Sequence, residues 1–446
     1  MRDELSVDLI RRAAKPLLGM YSGSDLIMER VGNASFVLLG EASHGTHEFY
    51  RERALITRRL ILEKGFRAVC VEADWPDAYR VHRYVHGNGE DTTAVEALNG
   101  FQRFPAWMWR NVDVIDFVSW LRNYNESDQA AAHGRVGFYG LDLYGLHASM
   151  QAVLDYLDGV DPEAAARARH RYACFENFGD DPQMYGYATG LGLSESCEAE
   201  VIAQLVELQR RTAKYLLRDG ERASDAFFSA EQNARLVRDA EAYYRTMFRG
   251  QVSSWNLRDT HMAETFNSLV RHLSSYEHEA KLVVWAHNSH IGDARGTQMH
   301  SAGELNLGQL IRERFADACR LIGFTTFAGT VTAASAWGGP AERKRVNPAR
   351  CDSYEGLFHT AGTPAFVLGL QAGSDVVRCL QPPRLERAIG VIYKPETELA
   401  SHYFMARLVE QFDAVLHFDQ SRAVEPLESM AELHDTEPAE TYPTGV

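Results

Sequence analysis

Four short runs of the chain are almost wholly apolar instead of alternating with polar residues. They are SFVLLGE (Ser35–Glu41), AVCVEAD (Ala68–Asp74), VGFYGLD (Val136–Asp142) and KLVVWAHN (Lys281–Asn288). A strand apolar on both faces belongs in a parallel sheet covered by helices on either side. Between the first two runs, Glu48–Glu63 spaces its apolar residues at helical intervals, which makes a βαβ start. Later runs, CRLIGFTTFAGTVTAA, PAFVLGL, RAIGVIY and DAVLHFD, add further strands. The pattern predicts an α/β fold with a mostly parallel central sheet flanked by helices.

One stretch breaks the alternation. Residues 162–276 are strand-poor and rich in Ala, Glu, Arg and Leu, which predicts a large helical insertion, or subdomain, between the third and fourth strands. The α/β core is thereby divided into 1–161 and 277–423. Residues 424–446 read as an acidic, Pro-containing and flexible tail.

Composition narrows the class. The chain has 446 residues, 45% hydrophobic and 24% charged, as in a soluble globular enzyme. A net charge of −15 disfavours nucleic acid and anionic membranes as partners. No apolar run approaches the roughly 18–20 residues of a membrane span, and the amphipathic, acid-containing start resembles no targeting signal. The expectation is a cytoplasmic protein. Six cysteines without CxxC spacing read as reduced thiols.

Polar residues gather where the strands end, and ligands bind beyond the carboxyl ends of strands in open parallel sheets. The first strand ends in Glu41, followed by Ser43, His44, His47 and Glu48. The second contains Glu72 and ends at Asp74. The third ends at Asp142 before Tyr144, and the fourth at His287, Asn288 and His290. Capping explains part of this, since Ser43 or Thr46 suits a helix N-cap and Asp142 suits either a cap or a site. It does not explain Glu41, or Glu72, which if buried needs a partner such as Arg53 or a nearby His. WNLRDTHMAET adds Arg258 and Asp259, and FPAWMWRNVDV adds Trp107 and Trp109 as core or as the apolar wall of a pocket.

No GxSxG, P-loop or GxGxxG motif is present, and no haem-attachment motif, so no cofactor is expected. A His made more basic by a carboxylate can deprotonate a water that attacks an ester carbonyl, with a second His or an Arg stabilising the oxyanion. The same residues could instead hold a metal ion for hydrolysis. A non-catalytic small-molecule or haem-binding protein is a third reading.

Together, GEASHGTHEFY…R, VEADW, WNLRDTHMAET and WAHNSHIGD resemble the erythromycin esterase-like family, from about Val31 to Phe418. The stretch VEADWPDAYRVHRYVHG resembles its broad bacterial branch. The resemblance implies an α/β core with a helical insertion. It implies a hydrolase of carboxylic ester or lactone bonds, macrolide-like ones included, that needs no metal. His44 would be the general base, oriented by Glu41 or Glu72, with His287 completing the catalytic set. Arg53, His290, Asp142, Arg258, Asp259 and Trp107 would contact a small-molecule ester or lactone.

Overall fold

The structure is a computed structural model that describes residues 2–17, 24–179, 182–212, 215, 221–248, 251–274 and 279–428. In chain order its strands are β1 (Lys15–Pro16), β2 (Phe36–Leu39), β3 (Ala68–Asp74), β4 (Gly137–Asp142), β5 (Leu282–Trp285), β6 (Cys319–Ala333), β7 (Glu342–Val346), β8 (Ala365–Gly369), β9 (Arg384–Arg387), β10 (Tyr403–Ala406) and β11 (Ala414–Ser421). Nine form one sheet in the order β1-β8-β11-β6-β2-β5-β3-β4, with β7 paired to β6, while β9 and β10 pair separately. From β11 to β4 every neighbouring pair is parallel; β1, β7 and β8 pair antiparallel. The expected mostly parallel sheet is therefore present.

Side chains alternate between two apolar layers. Phe36, Leu38, Cys70, Leu141 and Val284 pack on one face against the helices Glu221–Thr246 and Gln251–Leu273, through residues such as Tyr244, Met262 and Phe266. Val37, Leu39, Val71, Phe138 and Trp285 pack on the other against His47–Lys64, Trp75–Val85 and Val112–Asn125. Both faces are dry, which is why these strands lack polar alternation. All described elements between β4 and β5 are helical, and they share the first apolar layer with the sheet.

Chain order explains where a site can form. β2 lies between β5 and β6, so the chain crosses to opposite sides of β2 at different points. That reversal opens a crevice at the carboxyl ends of β2 and β5. Asn288, just after β5, closes its base: its Nδ2 donates to the Phe324 carbonyl at 2.7 Å and its Oδ1 accepts from the Phe324 N–H. Gly45 lets the loop after β2 press onto β6, where the Thr332 N–H donates to the Gly45 carbonyl at 3.0 Å.

Three expectations are corrected. RAIGVIY is not a strand: only Arg387 belongs to β9, and Ile389 and Ile392 form isolated bridges with Ser43 and Ala334. Its apolar residues face a cavity rim and the loop core, a pattern that imitates a buried strand. Cys174 and Cys197 are paired in a disulfide, with Cα atoms 5.9 Å apart. They come together because one helical turn packs beside the start of the helix Glu198–Arg210, a proximity that spacing along the chain does not display. The tail is tied down at its start. Val424 is buried, its N–H donates to the Gly45 carbonyl, and Leu427 N–H donates to the Arg110 carbonyl. Residues 429–446 lie outside the described residues.

A Cβ at Gly45 would stand 1.9 Å from the Thr332 carbonyl oxygen, a backbone atom that cannot swing aside. Gly45→Ala is expected to cost about 1–3 kcal/mol of stability, as overpacking does. Urea unfolding checks this, and an unchanged midpoint would contradict the close approach.

Candidate active site

Each strand end delivers its polar residue for a local reason. After β2 the chain turns through Gly40 to Thr46 before the helix His47–Lys64 begins. Thr46 occupies the N-cap position, but its hydroxyl pairs with Ser43 and does not cap the helix. The turn directs His44 into a cavity, where it joins Glu72, Asp74, Asp142, Tyr144 and Arg258 at the carboxyl edge of the sheet.

His44 Nδ1 lies 2.9 Å from Glu41 Oε1. Behind that pair, Arg53 Nη2 stands 2.8 Å from Glu41 Oε2, and its guanidinium packs over the rings of Tyr50 and Trp285. With Glu41 beside Nδ1, the carboxylate oxygen accepts the Nδ1 N–H and leaves Nε2 as the unprotonated ring nitrogen. The His287 ring lies 4.8 Å from the His44 ring. Burial, together with the neighbouring His44, holds His287 well below the usual imidazole range, against a weaker pull from Glu72. Its Nδ1 faces the hydroxyl and N–H of Ser289, within the first turn of the helix Asn288–Ile291.

The second half of the site centres on Arg258, from the helix Gln251–Leu273. It donates to Asp142 through Nε at 2.9 Å and Nη2 at 2.7 Å, and to Glu72 Oε1 through Nη2 at 2.7 Å. Glu72 Oε2 also accepts the His287 backbone N–H at 2.8 Å. Burial pushes the Glu72 carboxyl up, but His290, Arg258 and His44 outweigh it and hold the carboxyl well below its usual range. Glu72 and His290 therefore belong to one ionic cluster.

His290 is wholly inside. Its Nδ1 lies 3.0 Å from both Asp259 oxygens, its Nε2 lies 3.3 Å from Glu72 Oε1, and its ring stacks on Trp255. Burial and the adjacent Arg258, whose Nη1 is 3.0 Å from Nε2, both oppose an imidazolium. The two carboxylates, Asp259 foremost, prevail and raise its pKa to about 9. Asp259 in turn accepts the Leu307 N–H at 2.8 Å.

The structure thus brings Glu41, His44, Glu72, His287, Asp142, Arg258, His290 and Asp259 into one cluster, but only His44, Glu72, Asp142 and Arg258 among them line the cavity. Arg53 is fully buried behind Glu41, does not line the cavity, and pairs with Glu41 and not with Glu72. His290 and Asp259 support Arg258 and Glu72 from behind. Asp142 binds Arg258 and leaves the N-cap position of the helix Leu146–Val160 to Gly145. Trp107 is corrected: it packs in the second apolar layer, and Trp109 takes the place on the cavity wall.

Some cavity residues carried little sequence signal. Arg103 lines the cavity with its Nε 3.1 Å from Asp74 Oδ2 and its guanidinium over Tyr144, which Arg258 also covers. It falls beside the aromatic segment already noted, which is the clue that could have found it. Asp74 also accepts the Tyr144 N–H at 2.8 Å, and burial raises its carboxyl against the pull of Arg103. Trp337, Lys394 and His402 add to the wall from segments whose local patterns announce nothing, and Val391 and Ile392 from the run that imitates a strand. Among the described residues, no three His, Cys, Asp or Glu side chains are grouped to hold a metal ion.

A carboxylate-held imidazole thus lines a largely apolar cavity at the carboxyl edge of the parallel sheet of an α/β protein. The erythromycin esterase family matches residues 61–421, and the chain belongs to that family. The match begins after the Glu41–Arg53 stretch. The chain is 24% identical over 320 residues to an erythromycin esterase type II from Escherichia coli, covering 68% of this chain and 71% of that protein. Two solved structures share the fold across nearly the whole chain. A Bacillus cereus protein aligns with a TM-score of 0.79 at 19% identity, covering 96% of this chain and 99% of that one. A succinoglycan biosynthesis protein aligns with a TM-score of 0.75 at 21% identity, covering 95% and 98%. A mutant of the erythromycin esterase EreC in its open conformation aligns at 0.62 and 18% identity, covering 89% and 93%. Family membership supports an ester hydrolase. No helix among the described residues is long and apolar enough to cross a membrane.

The raised pKa of His290 makes a stability prediction. In the unfolded chain the imidazole returns to its ordinary value of 6.5, whereas in the folded protein it titrates near 9. Its contribution is fully present below pH 6.5 and is lost as the pH rises through about 9. The stability advantage of the wild type over His290→Gln should shrink across that window. Unfolding both proteins in urea at a series of pH values tests it; a pH-independent difference would show that no imidazolium is held there.

Proposed function

We propose that the protein hydrolyses a carboxylic ester or lactone, with His44 as general base. The observation that carries this reading is the Arg53–Glu41–His44 alignment ending in a cavity-facing imidazole. Glu41 holds the Nδ1 proton and the ring orientation, so Nε2 accepts a proton from water as the water oxygen attacks the carbonyl carbon. The carbonyl π pair becomes an oxyanion, which the guanidinium groups of Arg258 and Arg103 on the cavity wall would stabilise. Collapse of the tetrahedral species breaks the carbon–oxygen bond to the leaving alcohol, and the proton held on His44 passes to that alkoxide. One water is consumed, and an acid and an alcohol are released.

Glu72 and Asp142 act through Arg258 by holding its guanidinium at the cavity. His290, Asp259 and Arg53 act as positioning residues, and neutral His287 packs against His44 without competing for its proton. The family relation supports ester cleavage of a small molecule, a reading with which the mostly apolar cavity agrees.

His44→Ala should lower kcat for a susceptible ester by about 100- to 10,000-fold with little change in KM, the range of a lost general base. Glu41→Gln should lose activity, because the amide no longer selects the tautomer, and should also lose stability, because it leaves buried Arg53 without its counter-ion. Steady-state assays of the purified variants decide this. Cleavage by His44→Ala at the wild-type rate would remove the proposed base.

A further inference from the structure

We infer, resting on the hydrolase reading above, that the site takes a compact ester or lactone with an apolar body, and that Phe104 and Trp337 set the upper limit on its size. The cavity volume is about 260 Å³. That lies just below the roughly 300–1,000 Å³ of sites for drug-sized ligands. Charged groups gather around His44, Arg258 and Arg103, where the reacting carbonyl would lie. Much of the remaining wall is apolar, with Asp77, Lys394, Thr397, Ser401 and His402 as its polar members. Phe101, Phe104, Met108 and Trp109 come from one segment, and Val391 and Ile392 face them from the stretch after β9.

Trp337, in the connection from β6 to β7, joins the two sides. Its ring meets Phe104 edge-on, with centroids 5.0 Å apart at 63°. The two residues are more than two hundred positions apart in sequence, so their contact is a product of the fold. An edge-to-face pair of this kind contributes favourably beyond its buried area, and a substrate that needs more room must separate the rings. Phe104 and Trp337 are both only partly buried, so either can be shortened without emptying the core. On this inference a ring of a few atoms or a short acyl chain is accommodated between the walls, and a macrocyclic lactone is excluded.

The test uses the full-length protein with two series: lactones from five-membered rings to a macrocycle, and p-nitrophenyl esters from acetyl to dodecanoyl. For the wild type, kcat/KM should be highest for a compact member and about 100-fold or more lower for the macrocycle, since filling a preformed pocket beyond its volume is costly. Trp337→Ala and Phe104→Ala should each raise the macrocycle's kcat/KM relative to the best compact substrate by about tenfold, mainly through KM. Circular dichroism confirms that each variant is folded, and Phe104→Leu provides a milder change. A wild-type macrocycle rate within about tenfold of the best compact substrate overturns the size limit. An unchanged size ranking in both folded variants overturns the roles of Phe104 and Trp337. Failure of the wild type to cleave any member overturns the hydrolase reading itself, a result distinct from cleavage without size discrimination.

Discussion

Arg258 is the cation on which the sheet's carboxyl edge depends. Glu72 and Asp142 are buried at the ends of adjacent strands, and removing an ionised carboxylate from water costs several kcal/mol unless a partner compensates. The guanidinium that compensates both arrives from the helix Gln251–Leu273, inserted between β4 and β5. The helical stretch is therefore held by more than apolar contact with the sheet. Without it, two like charges would face each other in a dry interior.

A second cation does the same for the other half of the site. Arg53 lies fully inside, boxed by Tyr50 and Trp285, and pairs with Glu41 beneath His44. Two guanidinium groups thus divide the acids between them: Arg53 serves the carboxylate beside the His44 ring, and Arg258 serves two that line the cavity. His290 adds a third positive charge between Asp259 and Glu72. The electrostatic order leaves His44 with one committed nitrogen and one facing the cavity, which is the condition that proton transfer requires.

Much of this was legible before any coordinates. The doubly apolar runs marked β2 to β5 because strands covered on both faces have no solvent side to display. The acids and histidines at their ends marked the edge where a site would form. The resemblance carried His44 and Glu41 further than spacing could. RAIGVIY misled because a loop that buries apolar residues over a cavity has the same composition as a buried strand. Trp107 and Trp109 could not be told apart, since one residue's shift in a turn decides which ring faces the core.

By itself, the sequence determined the central strands β2 to β5, their burial on both faces and which acids and histidines arrive at one edge. These are local properties, written in periodicity and in the residue that follows each run. The tertiary structure alone decided who pairs with whom: Arg53 with Glu41, Arg258 with Glu72 and Asp142, Asp259 with His290, Phe104 with Trp337, and Cys174 with Cys197. Those partners are remote in the chain or separated by a turn. Their meeting depends on strand order, on the crossing of the chain about β2 and on the docking of the inserted helices, none of which a local pattern contains.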